Sequence, residues 1–521
     1  MDRFFSKNVV NNLTFCYTET QTRQQLPAVA LNPTEANTMS EFSDLLTEYT
    51  HRKDTRIYAL AEYCGMDRSM MYKVIRGKRM PSSIKTLDKI AEFLHLTPAE
   101  YQELSAAYRI SLEGRDNYYR RRDIMGFLGN FRNIMDTGVS LLPPRMCISS
   151  DSPNITLTNA SEVNQAVYTL VTRLIEEGEG NLYMIAPPEF TFLIRLLVSL
   201  MKEEDSITIT HIMCLNNNEQ ITADKKNYNL HCLMDILPLC TCGCHYQPYY
   251  YYDNITSRLD IFHLFPYLLL TESRAIILSE TFETGFVTRQ PDFLRLLKDI
   301  FSGYIKQARP LLQKISDVSS QLAYVQEFLK DDTSCEYSFQ MTPCMTDLLS
   351  EDLLEKYITP ELPGRQTFIR HFLLHIRDTY ERHQKRNLMR IFSLEGVKEF
   401  LDTGLLEEYP SDIYLPFEPE DRLKLIVRFA EECRRETYHI RMLRQSIGTV
   451  KNGANIYITP KAGYLLFTPV GSRAPVYLNI QESGLTSAFW DFLETLDDGL
   501  FCTQAETLSR LDELIRQYSR F

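Results

Sequence analysis

The 521-residue chain lacks most of the signatures that assign a function at sight. No run of about twenty apolar residues occurs; FLIRLLVSLM (192–201) is too short to cross a bilayer and carries Arg195. The start, MDRFFSKNVVNNLTF, has neither an apolar core nor a small-residue cleavage site, so no export signal is expected. There is no GxxxxGK[ST] phosphate loop, no GxGxxG, no HExxH and no GxSxG, so nucleotide, dinucleotide, zinc-protease and serine-hydrolase templates all fail. The twelve cysteines show no C-x₂-C pair, and a cytoplasmic location with reduced thiols is expected.

The chain has enough apolar content, 44%, to build large cores, and its length suggests about three domains. Its charge is uneven. Residues 51–122 hold 15 Lys/Arg against 9 Asp/Glu, a balance of +6, whereas the whole chain stands at −12. Between Arg68 and Lys89 lie seven basic residues and one acid, Asp88. Such asymmetry places one polyanion-facing module on an acidic body.

Residues 1–38 lack periodicity and read as a poorly ordered arm. Residues 39–110 read as five short helices. Asp54 or Thr55 is expected to cap the second, and Gly65 to end it. Asp67 or Ser69 starts the third, Ser82-Ser83 precedes the fourth, and Thr97-Pro98-Ala99-Glu100 carries the capping-box signature of the fifth. Residues 111–146 form a partly helical connector. Two α/β modules follow, 147–315 and 318–521, in which β-branched runs such as ITITHIMCL (207–215) alternate with helix-length patterns such as 291–312. The expected fold is therefore multidomain, an all-α N-terminal domain followed by two α/β modules. The modules share a loose order of helix, strands and terminal helix, without a repeated motif.

In 59–94 the spacing is that of a helix-turn-helix. Ala61, Met66, Met71 and Val74 face inward, and Arg68, Ser69, Tyr72, Lys73 and Arg76 face outward where a recognition helix reads base edges. Lys78 and Arg79, beyond Gly77, are placed for phosphates. The run Leu60-Ala61, Gly65, Ser69, Gly77-Lys78-Arg79-Met80-Pro81, Leu87, Ile90-Ala91 and Leu94 resembles the lambda-repressor/Cro-like (XRE) helix-turn-helix family. It departs from that family at Ile75, where Glu is frequent, and at Asp67, which opens the helix. The resemblance implies a sequence-specific regulator that binds double-stranded DNA as a homodimer, its C-terminal region sensing a small-molecule or peptide effector. The alternatives are an enzyme of unknown class with an attached DNA-binding domain, or a peptide- or protein-interaction regulator.

Further along, Cys240, Cys242, Cys244 and His245 are the candidate metal ligands, but alternating C-x-C has no matching second pair, and no metal or other cofactor is expected. The tyrosines of YQPYYYYD (246–253), among them Tyr250 and Tyr252, read as a two-faced strand or, with His263, as the lining of a ligand pocket. The run AIILSETFETGFVT (275–288), followed by a helix ending Gln307-Ala308-Arg309-Pro310, resembles the phospholipase-D-like sensor domains behind some DNA-binding domains. Active members need His-x-Lys with an Asp farther on. His383-Gln384-Lys385 has Arg390 at that place, and His51-Arg52-Lys53 has Tyr58. The resemblance implies a catalytically dead sensor, and no enzymatic activity is expected.

Overall fold

The computed structural model describes residues 41–136, 152–178, 180–201, 206–216, 227–253, 265–315, 320, 335–383, 387–435, 439–472 and 474–520. The expected arm at 1–38 and His263 lie outside these residues, as do Gln384 and Lys385. The chain divides into two compact units between Arg122 and Asp123.

The described residues of the first unit are helical: α1 (Glu41–Arg52), α2 (Ile57–Cys64), α3 (Arg68–Ile75), α4 (Ile84–Phe93), α5 (Pro98–Glu113) and the start of α6 (Arg115–Met135). Their apolar faces close one core of Phe42, Leu46, Leu60, Met71, Leu87, Ile90 and Leu104, all 0% exposed. Phe42 meets Tyr108 edge to face at 5.6 Å. The capping box at Thr97 and Glu100 forms, and Ser83 caps α4 through the Thr86 amide. The expected cap of α2 does not form. Asp54 takes a left-handed φ of 45° and the Thr55 amide still closes α1 on the Thr50 carbonyl, so the N-cap position passes to Arg56, which offers no acceptor.

The second unit carries two mixed sheets. The first sheet orders its strands β1-β7-β6-β5-β2-β3-β4-β8, with β1 (Asn154–Leu157), β2 (Gly180–Ile185), β3 (Ile207–Asn216), β4 (His245–Asp253), β5 (Tyr267–Leu270), β6 (Ala275–Leu278), β7 (Gly285–Thr288) and β8 (Arg309–Pro310). The second orders β12-β11-β10-β13-β14-β15-β9, with β9 (Leu312–Ile315), β10 (Cys335–Phe339), β11 (Asn387–Ser393), β12 (His439–Leu443), β13 (Asn455–Ile458), β14 (Gly463–Phe467) and β15 (Val476–Ile480). Laid against each other, β1–β7 and β9–β15 coincide in order and in direction. The triplets β2-β3-β4 and β10-β11-β12 are parallel, and the remaining pairings are antiparallel. Both β5–β6 and β13–β14 turn on a buried threonine. Thr271 and Thr459 each donate their amide, at 2.9 Å, and their hydroxyl, at 3.2 Å, to the carbonyl three residues on, Arg274 and Ala462. The two modules thus repeat one topology.

Helices cover the faces: α7 (Ala160–Glu176), α8 (Thr191–Leu200), α9 (Tyr228–Ile236) and α10 (Pro291–Ile305) with the first sheet, and α11 (Glu351–Tyr357), α12 (Arg365–His383), α13 (Leu394–Thr403), α14 (Pro419–Arg434), α15 (Ser483–Glu494) and α16 (Gln504–Tyr518) with the second. The strand β6, AIIL, is buried at every position, as a strand covered on both faces must be. The helix read over 291–312 ends at Ile305. Pro310 has no amide to continue it and disfavours helix at Arg309, so those two residues pair with Tyr249–Tyr250 as β8. Leu311, 0% exposed, then donates to the Pro248 carbonyl and accepts from the Gln481 amide, joining the two sheets.

One apolar core is shared between the modules. Ile124, Phe127, Leu128 and Phe131 of α6 pack into it, with Phe127 5.8 Å from Phe489 and Phe131 5.1 Å from Phe467. Burial of each such ring is worth roughly 2–3 kcal/mol. Gly448, at φ 75°, lies so close to α6 that a Cβ there would stand 2.4 Å from the Leu128 carbonyl oxygen. Among the described residues, no helix is long and apolar enough to cross a membrane.

Candidate nucleic-acid interface

Helices α2 and α3 are joined by a tight turn whose geometry only a few residues allow. Gly65 takes φ 66° and ψ 32°, left-handed values that cost a residue with a Cβ about 1–2 kcal/mol. Its amide closes on Glu62 and that of Met66 on Ala61. Asp67 then caps α3, its carboxylate accepting from the Ser69 amide at 2.7 Å. The acid that would repel a phosphate is therefore committed to the helix start, where it also meets the positive end of the dipole.

The spacing of α3 sorts its side chains. Met71 and Val74 are 0% and 1% exposed, against Leu60 and Ala61 of α2 within the same core. Ile75 is also buried, which accounts for an apolar residue at that place, and its carbonyl accepts from the Thr47 hydroxyl. Arg68, Ser69, Lys73 and Arg76 are exposed, and so are Lys78 and Arg79. Tyr72 is half-buried. The guanidinium carbons of Arg68 and Arg76 stand 5.6 and 5.7 Å from its ring centroid, one turn before and one turn after it. The ring therefore restrains two cations at once. Beyond the helix, Gly77 turns at φ 68°, and the amides of Lys78 and Arg79 both donate to the Lys73 carbonyl, at 2.8 and 3.2 Å.

The electrostatics separate this face from the rest of the unit. Arg52, Arg115 and Arg121 are each spent on an acid, Glu100, Glu41 and Glu113 respectively. Among the described residues, Arg68, Lys73, Arg76, Lys78 and Arg79 form no ion pair. Five exposed cations without internal counter-charges attract a polyanion and give little to folding. One basic residue escaped the sequence reading. Arg56 stands exposed at the first turn of α2, which no side chain caps, and its signal was hidden because the cap was sought at Asp54 or Thr55.

The other candidates do not converge. Cys240, Cys242 and Cys244 are buried whereas His245 is exposed, and among the described residues no group of three or more His, Cys, Asp or Glu is placed to hold a metal. Burial pushes the Cys240 thiol up to about 12, and Cys242 raises its own value while lowering that of Cys244 by a hydrogen bond between them. The tyrosine run is strand β4. Tyr246 hydrogen-bonds His211 at 2.8 Å, Tyr250 is 3% exposed, and Tyr252 donates to Glu482. Arg390, at the place of the missing catalytic Asp, lies in β11 and is buried against Asp347 at 2.7 Å. It serves the core.

No protein-family model matches the chain, and no curated protein matches it. Among solved structures it matches a phosphatidylserine synthase from Haemophilus influenzae Rd KW20, at 10% identity and a TM-score of 0.21, over 77% of this chain and 97% of that one. It also matches TrmBL2, an archaeal chromatin protein, at 12% identity and a TM-score of 0.20, over 51% of this chain and 99% of that one. At these TM-scores neither likeness carries an argument for what this chain does. The expectation of no enzymatic activity is withdrawn: one of the solved structures that the chain matches is that of an enzyme.

Proposed function

We propose that residues 41–113 bind double-stranded DNA through α2 and α3, and that the protein is a cytoplasmic, sequence-specific transcriptional regulator. Arg68, Ser69, Tyr72, Lys73 and Arg76 read the major groove, and Lys78, Arg79 and Arg56 hold phosphates. The observation that carries this reading is the set of five exposed cations around α3 that have no ion-pair partner among the described residues, on a helix entered by a glycine turn and capped by its one acid. The two repeated α/β modules serve sensing of a small-molecule or peptide effector and homodimer formation, which would set two half-sites about one helical turn apart.

The test is fluorescence anisotropy of the intact chain on the gene's own upstream region and on a scrambled duplex, from 50 to 300 mM salt. Binding that prefers the upstream region and weakens by about 0.9 in log–log slope per phosphate contact supports the proposal. Equal weak binding to both duplexes would sink it.

A further inference from the structure

The repeated topology allows each position of one module to be compared with its counterpart, and the comparison finds an apolar face that only one module covers. Strands β7 and β15 are each followed by two residues, Arg289-Gln290 and Gln481-Glu482, before α10 and α15 begin, so the two helices correspond position by position. In the second module Phe492 and Leu496 are buried, 3% and 8% exposed, in the core that α6 enters with Phe127 against Phe489. Their counterparts in the first module, Ile300 and Tyr304, are 44% and 51% exposed. Leu296, at the place of the half-buried Ala488, is 50% exposed. Helix α10 thus has two apolar faces. Leu294 and Leu297 pack on β5 and β6, whereas Leu296, Ile300 and Tyr304 stand open. The open surface runs on through Phe293, which stacks on Phe286 at 6.4 Å, to Phe265, 5.6 Å from Phe286 and itself exposed. A continuous apolar patch of this kind marks an interaction surface.

Three features fit this face to a second copy of itself. Leu296, Ile300, Gly303 and Tyr304 recur at the spacing of a helix seam, along about 12 Å of helix. Gly303 serves nothing within the fold, because a Cβ there would meet no atom within 4 Å, although glycine inside a helix costs stability. It leaves room for a side chain of a second helix. Charge then sets the direction. Asp292 and Lys306, both exposed, lie on one flank of the stripe at its two ends. In an antiparallel pair about a two-fold axis at Ile300, Leu296 meets Gly303 and Tyr304 of the second copy, and Asp292 meets Lys306 of the second copy at both ends. A parallel pair would set like charges together. Asp292 is held at present only by a surface pair with Arg295, which yields readily. Asp299, on the same flank near the axis, opposes its own copy and keeps the association weak. A contact of this length buries less than the roughly 800 Å² per copy of a standard interface, so a micromolar dimer is expected.

We propose that the open face of α10 is a homodimer interface, packed antiparallel against α10 of a second copy about a two-fold axis at Ile300. This rests on the homodimer of the proposed regulator and names its surface. Sedimentation velocity of the full chain, over about 1 to 100 µM, tests it. The wild type is compared with Ile300→Glu, Ile300→Arg, an equimolar mixture of those two, and Gly303→Gln. Ile300 and Gly303 are exposed, so each variant should keep the wild-type circular dichroism and melting. The wild type should pass from monomer to dimer across the range. Each variant alone should associate at least about tenfold more weakly, because a two-fold axis sets each new charge against its own copy. The mixture should recover the dimer by pairing Glu with Arg, which a misfolded variant cannot do. Variants that dimerise as the wild type does would overturn the proposal and leave the homodimer standing on another surface. A mixture that stays monomeric would overturn the two-fold arrangement. A wild type that is monomeric throughout would overturn both this interface and the homodimer, whereas DNA binding is read separately by anisotropy.

Discussion

Acidification should expose the cost of one buried imidazole. His211 lies on β3, 0% exposed, with Nε2 2.8 Å from the Ala186 carbonyl and Nδ1 2.8 Å from the Tyr246 hydroxyl. A carbonyl only accepts, so Nε2–H donates and Nδ1 accepts from the tyrosine, which assigns the neutral tautomer. A proton on Nδ1 would reverse that bond, the tyrosine oxygen then accepting, and would bury a charge, and burial accordingly lowers the pKa from 6.5 to about 4. Between these values the unfolded chain holds more protons than the folded one. The stability from His211 is therefore complete above pH 6.5 and is lost as pH falls toward 4. At 1.36 kcal/mol per pH unit the loss reaches about 2.5 kcal/mol by pH 4.5. The single tryptophan, Trp490, lies on α15 against Tyr337 and packs on the core that contains Met213 and Leu215 of β3, so its fluorescence reports this unit alone. Urea unfolding followed at Trp490 from pH 7.5 to 4.5 compares the wild type with His211→Gln, whose amide can keep one donor and one acceptor. The wild type should lose about 2.5 kcal/mol more than the variant. Parallel curves across that range would refute the argument.

Other perturbations have equally definite expectations. Asp347→Ala leaves Arg390 buried without its carboxylate and should cost about 3–5 kcal/mol in thermal or urea unfolding, whereas Asp347→Leu with Arg390→Met should recover most of that loss. Glu407 is held up to about 8 by burial and by Glu408, so its stability is present below pH 4.5 and is lost as pH rises through 8. Glu407→Gln should then gain on the wild type between pH 5 and 8.5, and a constant difference would contradict this. Gly448→Ala should cost about 2 kcal/mol or more, from the left-handed φ and the approach to Leu128, and unchanged melting would deny the contact.

The parts legible in the sequence were those governed by neighbours a few residues apart. Thr97 and Glu100, Ser83 and Thr86, and Gly65 each act within one turn of chain, and the helices they bound stand where those signals place them. Less legible were features set by distant partners. Asp347 and Arg390 lie 43 positions apart, and nothing local marks either as buried. The helix over 291–312 reads long because Leu311 and Leu312 continue its apolar rhythm, whereas it ends at Ile305 ahead of Pro310, and Leu311 serves the junction of the two sheets. The repeat of the two modules was only hinted at, because they share strand order and turn geometry but not residues: Arg274 answers to Ala462 and Gln290 to Glu482. At the candidate interface the outward residues were named from spacing alone. The clamp of Arg68 and Arg76 on Tyr72 depends on side-chain direction, which spacing does not give.

The central claim is that α3 reads bases and the turn beyond it holds phosphates, and two double variants separate these roles. Anisotropy over a salt series gives, for each, the preference for the upstream region over scrambled DNA and the salt slope. Lys78→Ala with Arg79→Ala should weaken binding to both duplexes alike and reduce the slope by about 2, leaving the preference intact. Arg68→Ala with Lys73→Ala should collapse the preference. If both double variants leave the preference and the slope at wild-type values, α3 is not the reading helix and the account fails.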